Sequence, residues 1–192
     1  MSAIIIDDFF TDFDAVRRWA DEARFIDVTN DVDGVVYPDV CIEIPSWLLM
    51  ETHTGAARAL GWTPLLRVLF ARLSVAGKVA PHQAHTDVTM GQYSMMVYLN
   101  RPEHCRGGTS ILRHIETGAE RNPTDAEGEA IWRRDTNVAT AWEHTAMCGM
   151  KPNRALIFPA DLYHRAEPVG GFGSDSKDGR IVMTMFFDKG RA

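Results

Sequence analysis

The chain has 192 residues, a size that suits one domain and buries roughly 70% of the surface the unfolded chain exposes, with no need of disulfides. Hydrophobic residues at 45% and charged residues at 24% exclude wholesale disorder. The formal charge of −6 argues against a partner held through nucleic-acid phosphates, which needs a basic face.

The elements follow in chain order. Ala3–Ile6 is a short apolar run that reads as a strand. Asp12–Phe25 places Phe13, Val16, Trp19, Ala20 and Ala23 at helical spacing, with Asp12 or Asp14 as cap. Thr29–Tyr37 is polar, with Asp33-Gly34 as a turn signal. Pro45–Leu60 reads as a second helix closed by Gly61, with Leu49, His53, Ala57 and Leu60 on one side. Strands are expected at Leu66–Val75, Ser94–Leu99, Thr109–Arg113, Ala155–Phe158 and Arg180–Phe187. The polar stretch Glu116–Met150, with Trp132 and Trp142, reads as a partly helical insertion between two strands, and Gly170–Gly179 as a flexible loop. Helices followed by many short strands predict an antiparallel double-sheet core with helices packed on one side.

The three cysteines, Cys41, Cys105 and Cys148, are too scattered for a disulfide framework and lack the spacing of a zinc site. They read as reduced thiols of a cytoplasmic protein. The first ten residues lack a basic region and a long apolar run, so no signal peptide is expected, and no stretch is long and apolar enough to span a membrane.

The chemistry concentrates at His85-Thr86-Asp87. In an extended segment, residues two apart share a face, so His85 and Asp87 can present a nitrogen and an oxygen to one ion. His164, after the apolar strand Ala155–Phe158, is the candidate third ligand. Two histidines and one carboxylate on one side of a metal leave the opposite positions open, the facial arrangement of non-haem Fe(II) oxygenases. Arg180 opens the last strand, with Val182, Thr184 and Phe186 on the same face, and can clamp a carboxylate bidentately. Thr184 can add a hydroxyl bond to that carboxylate and Tyr98 a phenol from a neighbouring strand. Arg165, beside His164, competes with Arg180 for this role, and a salt bridge to Asp178 or Asp161 is the structural alternative for Arg180. His82 is read as surface or as support for the site, because Pro81 argues against a helix that would join it to His85.

Taken together, His85-Thr86-Asp87, Met95–Asn100, Gly107-Gly108-Thr109, His164 and Arg180–Thr184 resemble the Fe(II)- and 2-oxoglutarate-dependent dioxygenases, closest to the small prolyl-hydroxylase-like group. The resemblance covers residues 66–188. It implies an α+β, mainly β chain built on a double-stranded β-helix, a jelly-roll of cupin type, as one domain spanning 1–192. Residues 1–65 would form a helical support region, and 66–188 the barrel core with the insertion 116–150. It implies metal binding by His85, Asp87 and His164, and 2-oxoglutarate binding by Tyr98, Thr109, Arg180 and Thr184. The implied reaction uses Fe(II), 2-oxoglutarate and O2, with ascorbate as a reductant, to hydroxylate a C–H bond and release succinate and CO2. The true carboxylate at Asp87 favours hydroxylation over halogenation. One departure stands out: Val182 occupies the position where many members carry serine after the arginine.

The expected partner is a small molecule, an amino acid or a peptidyl side chain, with neither nucleic acid nor membrane, and the protein is a monomer or a homodimer. Two other readings compete: a cupin-like metal-binding protein without redox turnover, which needs no Arg180 clamp, and a nucleic-acid demethylase, which needs a basic groove that only Arg101, Arg106 and Arg113 hint at.

Overall fold

A computed structural model describes residues 3–29, 34–123 and 125–190. Asp33 of the expected Asp33-Gly34 turn lies outside these. Ten strands and three α-helices follow in the order β1 (Ile4–Ile6), α1 (Phe13–Glu22), β2 (Ile26–Thr29), β3 (Val36–Cys41), α2 (Ser46–Leu60), β4 (Pro64–Ser74), β5 (Tyr93–Tyr98), β6 (Gly108–His114), α3 (Ala126–Asp135), β7 (Trp142–Gly149), β8 (Ala155–Pro159), β9 (His164–Glu167) and β10 (Arg180–Lys189). The seven-stranded major sheet runs β1-β8-β5-β10-β4-β3-β2, and the three-stranded minor sheet runs β7-β6-β9. All the pairings are antiparallel. This is the mainly β, double-sheet architecture expected.

The strand period of two divides β10 between two cores. Ile181, Met183, Met185 and Phe187 pack with Met95, Val97, Leu99, Ala155 and Ile157, and with Val16, Ala20, Leu48 and Ala56 from the two N-terminal helices. The helices therefore cover the outer face of the major sheet. Val182 packs with Tyr98, Leu156, Phe158 and Cys148 between the sheets. Arg180, Thr184 and Phe186, at even offsets from Val182, share that inner face. In the cross-strand register, Val182 stands opposite Tyr98 on β5 and Arg72 on β4, and Thr184 opposite Met96 and Phe70.

Helix α1 starts where Asp12 accepts a hydrogen bond from Ala15 N at 2.9 Å, so Asp12 rather than Asp14 is the cap. It stops at Glu22, short of Phe25, because Ala23 turns to extended backbone. Helix α2 runs between Pro45 and a left-handed Gly61, as expected. Its buried face is Leu48, Thr52, Gly55 and Ala56, one step round from the expected Leu49, His53, Ala57 and Leu60. Gly55 sets that rotation: a Cβ there would stand 2.7 Å from Phe9 Cζ, so only a glycine lets the helix close onto the ring.

Three expectations need correction. Residues 1–65 supply, besides the expected strand β1 and the two helices, two strands that were not expected, β2 and β3. The insertion ends earlier than Met150, because Trp142–Gly149 is strand β7, paired with β6 along its length. It hides in the sequence as an edge strand with five consecutive exposed residues, Glu143–Met147, and so shows no apolar alternation. The loop at 170–179 is tied down: Phe172 is buried, Phe172 N donates to Ser74 O, and Ala76 N donates to Gly173 O at 3.0 Å. No helix among the described residues is long and apolar enough to cross a membrane.

Candidate metal centre and cosubstrate pocket

His85-Thr86-Asp87 lies between β4 and β5 in an irregular segment. Its backbone is pinned by two bonds to β9, His85 N to His164 O at 3.1 Å and His164 N to His85 O at 2.9 Å. Asp87 N donates to Ala160 O at 2.7 Å and Asp87 O accepts from Met90 N at 2.8 Å. This lattice brings together two ligands from one segment with a third 77 residues later in the chain. One metal-binding atom from each of His85, Asp87 and His164 lies within 4.8 Å of the other two. His164 Nε2 is 3.2 Å from Asp87 Oδ2, and His85 Nε2 is 3.6 Å from Asp87 Oδ1. The imidazole centroids are 4.3 Å apart.

The tautomers follow from the backbone. Nδ1 of His85 faces the Gln83 carbonyl at 3.0 Å, and Nδ1 of His164 faces the Leu162 carbonyl at 3.0 Å. A carbonyl only accepts, so each Nδ1 carries the proton, and in the neutral ring the Nε2 lone pair points at the centre. Burial, then the neighbouring His164, pushes His85 down to about 4, so its ring is neutral at pH 7. Burial works against the Asp87 carboxylate, but His164, His85 and the Ser94 hydroxyl outweigh it and hold Asp87 down at about 2. Burial alone would lower His164, yet the Asp87 carboxylate raises it. His164 Nε2 is buried without hydrogen-bond geometry to any partner, despite the 3.2 Å approach of Asp87. A buried ring nitrogen left over beside an ionised carboxylate is what a metal ion would satisfy, so the donor set fits a divalent iron. His85 is the open side of the cluster, with its side chain 29% exposed against 1% for His164.

Ser94 is the residue the sequence reading missed. Its Oγ donates to Asp87 Oδ2 at 2.7 Å and orients the carboxylate. The only sequence signal was a small polar residue at the head of an apolar strand.

The insertion builds the wall behind both histidines. Ala84, Leu112, Trp142 and Tyr163 form a separate core, with Trp132 packed against it. Ala84 and Tyr163 are the residues immediately before His85 and His164. Thr136 grips Ala84 through both backbone and hydroxyl, and Tyr163 N donates to Glu120 O at 3.0 Å. Trp142 is an anchor, its Nε1 donating to Asp135 O at 2.8 Å. His82 stays outside the cluster and packs near Trp132. A cavity of about 700 Å³ opens within the insertion, lined by Tyr163, Trp132 and His114 rather than by the metal cluster.

Arg180 is almost fully buried at 2% exposure. It donates to Gly108 O at 3.1 Å, its Cζ lies 5.9 Å from the Tyr98 ring centroid, and its Nε has no partner. It makes no ion pair among the described residues, since Asp178 is taken up by Ser174 and Asp175, and Asp161 by Arg121. Burial pushes its pKa down, but a guanidinium stays charged. Glu167 acts on Arg180 only at a distance and is itself held by Arg165. A buried cation without a carboxylate in contact is costly, and an incoming carboxylate would relieve it. Arg165 is no competitor, because Glu167 holds it at 2.8 Å.

Beside Arg180, Tyr98 donates to Thr109 Oγ1 at 2.9 Å, and Thr109 reaches Met96 Sδ at 3.6 Å. Burial pushes the Tyr98 phenol up, so it remains a donor. Tyr98, Thr109 and Arg180 therefore converge. Thr184 shares their face, four residues along β10 from Arg180, about 13 Å of strand rise. Arg101 and Arg113 are spent on Asp21 and Glu143.

A minor sheet closed over the inner face of a larger one, with two histidines and a carboxylate at one end, defines a double-stranded β-helix of the kind on which iron- and 2-oxoglutarate-dependent oxygenases are built. Solved structures agree on the fold. The non-haem α-ketoglutarate-dependent epimerase SnoN from nogalamycin biosynthesis matches at TM-score 0.57 and 14% identity, over 96% of this chain and 75% of that one. The carbocyclase SnoK of the same biosynthesis matches at 0.55 and 14%, over 96% and 79%. EctD from S. alaskensis, solved with 2-oxoglutarate and 5-hydroxyectoine, matches at 0.51 and 15%, over 96% and 71%. The comparison with curated proteins found no match. The chain belongs to a family of unknown function, DUF6445, whose model matches residues 1–187.

Proposed function

We propose that this chain is an Fe(II)- and 2-oxoglutarate-dependent dioxygenase that hydroxylates a C–H bond of a small molecule, an amino acid or a peptidyl side chain. The observation that carries this reading is the pairing of the His85–Asp87–His164 cluster with Arg180, a buried guanidinium that makes no direct ion pair among the described residues. A metal-binding module without turnover has no use for Arg180. Iron with 2-oxoglutarate and O2 would supply the oxidising power to break a C–H bond, leaving succinate and CO2.

The chain's own residues do the rest. His85, Asp87 and His164 would hold the metal from one side, and Ser94 fixes the carboxylate. Arg180, with the Tyr98 and Thr109 hydroxyls, would hold the far carboxylate of 2-oxoglutarate and so set its orientation. Leu156, Phe158 and Val182 exclude water from the space between the sheets. The three cysteines are free, in keeping with work in the cytoplasm.

The test is anaerobic. Purified protein is mixed with Fe(II), titrated with 2-oxoglutarate, and followed by the weak visible charge-transfer band of an iron-chelated keto acid. A saturable band that Asp87→Ala removes is the expected result. Tight zinc or nickel binding with no keto-acid band would instead support a metal-binding module.

A further inference from the structure

A second guanidinium faces the same space. Arg72, on β4, stands opposite Val182 of β10 in the register, two residues from the Arg180–Ser74 pair, so the two arginines are diagonal neighbours on the inner face. Arg72 is half-buried, and its Nε is wholly buried without a partner. Its Cζ lies 5.7 Å from the Tyr37 ring centroid. Among the described residues it makes no ion pair: the nearby Asp39 carboxylate is held by Lys78 at 2.8 Å. Burial lowers its pKa, with Tyr37 and Asp39 acting in the opposite sense, and its charge acts on both His85 and Arg180.

From Arg72 towards the metal cluster the face turns apolar. Phe70 and Phe186 have ring centroids 5.9 Å apart, and Phe186 pairs with Ser94, which bonds Asp87. Arg72 and Val68, on the Phe186 row, are separated by about 13 Å of strand rise. The minor sheet has three strands against seven, so it leaves this side of the major sheet open, and Val68 is 37% exposed.

We propose that Arg72 binds the carboxylate of the substrate, whose apolar body lies over Phe70 and Phe186 with the reacting carbon at the metal. The substrate is thus an apolar carboxylic acid. This rests on the oxygenase reading for the bond that reacts, but not for the anion site itself.

The probe is hexanoate, with hexanamide as its uncharged counterpart, titrated by calorimetry and ligand-observed NMR. Two proteins receive it: wild type loaded with Ni(II) and 2-oxoglutarate, and metal-free Arg180→Met, in which Arg72 is the remaining inner-face guanidinium. Hexanoate is expected to bind both at least about tenfold more tightly than hexanamide. Arg72→Met should abolish that preference and Arg72→Lys keep part of it, with 2-oxoglutarate affinity within about twofold of wild type. Equal binding of hexanoate and hexanamide overturns the proposal. So does a loss of more than about tenfold in 2-oxoglutarate affinity in Arg72→Met, which would give Arg72 to the cosubstrate. If wild type fails to bind Ni(II) and 2-oxoglutarate, the oxygenase reading falls, and the metal-free arm still decides the anion site. Should Arg72→Met not fold, Arg72→Gln replaces it.

Discussion

The hydroxyl of Ser94 and the carboxylate of Asp87 are joined by a 2.7 Å hydrogen bond between two buried groups seven residues apart. The bond leaves Oδ1 to face His85 and fixes the rotation of the carboxylate before any ion arrives. Ser94→Ala is therefore expected to fold normally but to bind Fe(II) or Ni(II) about 10–100-fold more weakly. A competition titration against a chelator of known affinity measures this. Affinity equal to wild type would mean that the Asp87 carboxylate is oriented without help from Ser94.

Arg180 is expected to separate binding from stability. Replaced by methionine, it should weaken 2-oxoglutarate binding by about 2–5 kcal/mol, because a charge-assisted contact to the carboxylate is lost. Without 2-oxoglutarate the same variant should be no less stable than wild type and up to about 4 kcal/mol more stable, since a buried unpaired cation has been removed. Isothermal titration and urea denaturation read the two halves. A variant that is less stable but binds 2-oxoglutarate normally would make Arg180 a structural residue held by Gly108.

The parts of this site that were legible in the sequence are those whose chemistry is local. His85 and Asp87 advertise themselves by spacing, and Arg180 by opening an apolar strand. Ser94 was not legible, because it matters only through Asp87, which the fold and not the local sequence sets beside it, and the position of Arg72 across from Val182 is likewise set by the sheet register. The same holds for the fold. β10 is buried on both faces and reads as a continuous apolar run. β7 is an edge strand facing water on most positions and could not be told from an insertion. Helix α2 was placed correctly in the chain but rotated by one residue, since Gly55 packing on Phe9 is a tertiary fact.

Gly107 and Gly118 both adopt left-handed backbone, at φ 64° and 70°, yet they predict different penalties. A Cβ on Gly107 would fall 2.2 Å from Glu167 O, a backbone atom that cannot swing aside, whereas one on Gly118 meets nothing within 4 Å. Gly118→Ala should cost only the left-handed strain, about 1–2 kcal/mol. Gly107→Ala should cost more than about 3 kcal/mol and loosen the start of β6, where Thr109 meets Tyr98. Denaturation of both variants makes the comparison, and equal costs would show that β9 gives way to the added methyl.

Asp21 ties α1 to two loops. It accepts from Arg101 and from the buried Arg17, which also donates to Leu99 O at 2.8 Å and to Ser176 O. The hydrogen bond from Arg101, and then that from Arg17, hold its pKa below the usual carboxylate value, against the opposing effect of burial. A carboxylate with a depressed folded pKa stabilises the fold above its unfolded value of about 3.9 and loses that contribution as pH falls through the folded value. Asp21→Asn should therefore be less stable than wild type at pH 7 by about 1–3 kcal/mol, the cost of weakening charged hydrogen bonds to Arg17 and Arg101. The gap should narrow steadily below about pH 4, as the wild-type carboxylate takes up its proton. Urea denaturation of both proteins across this range decides it: a gap that stays constant with pH would assign the role of Asp21 to the geometry of its hydrogen bonds rather than to its charge.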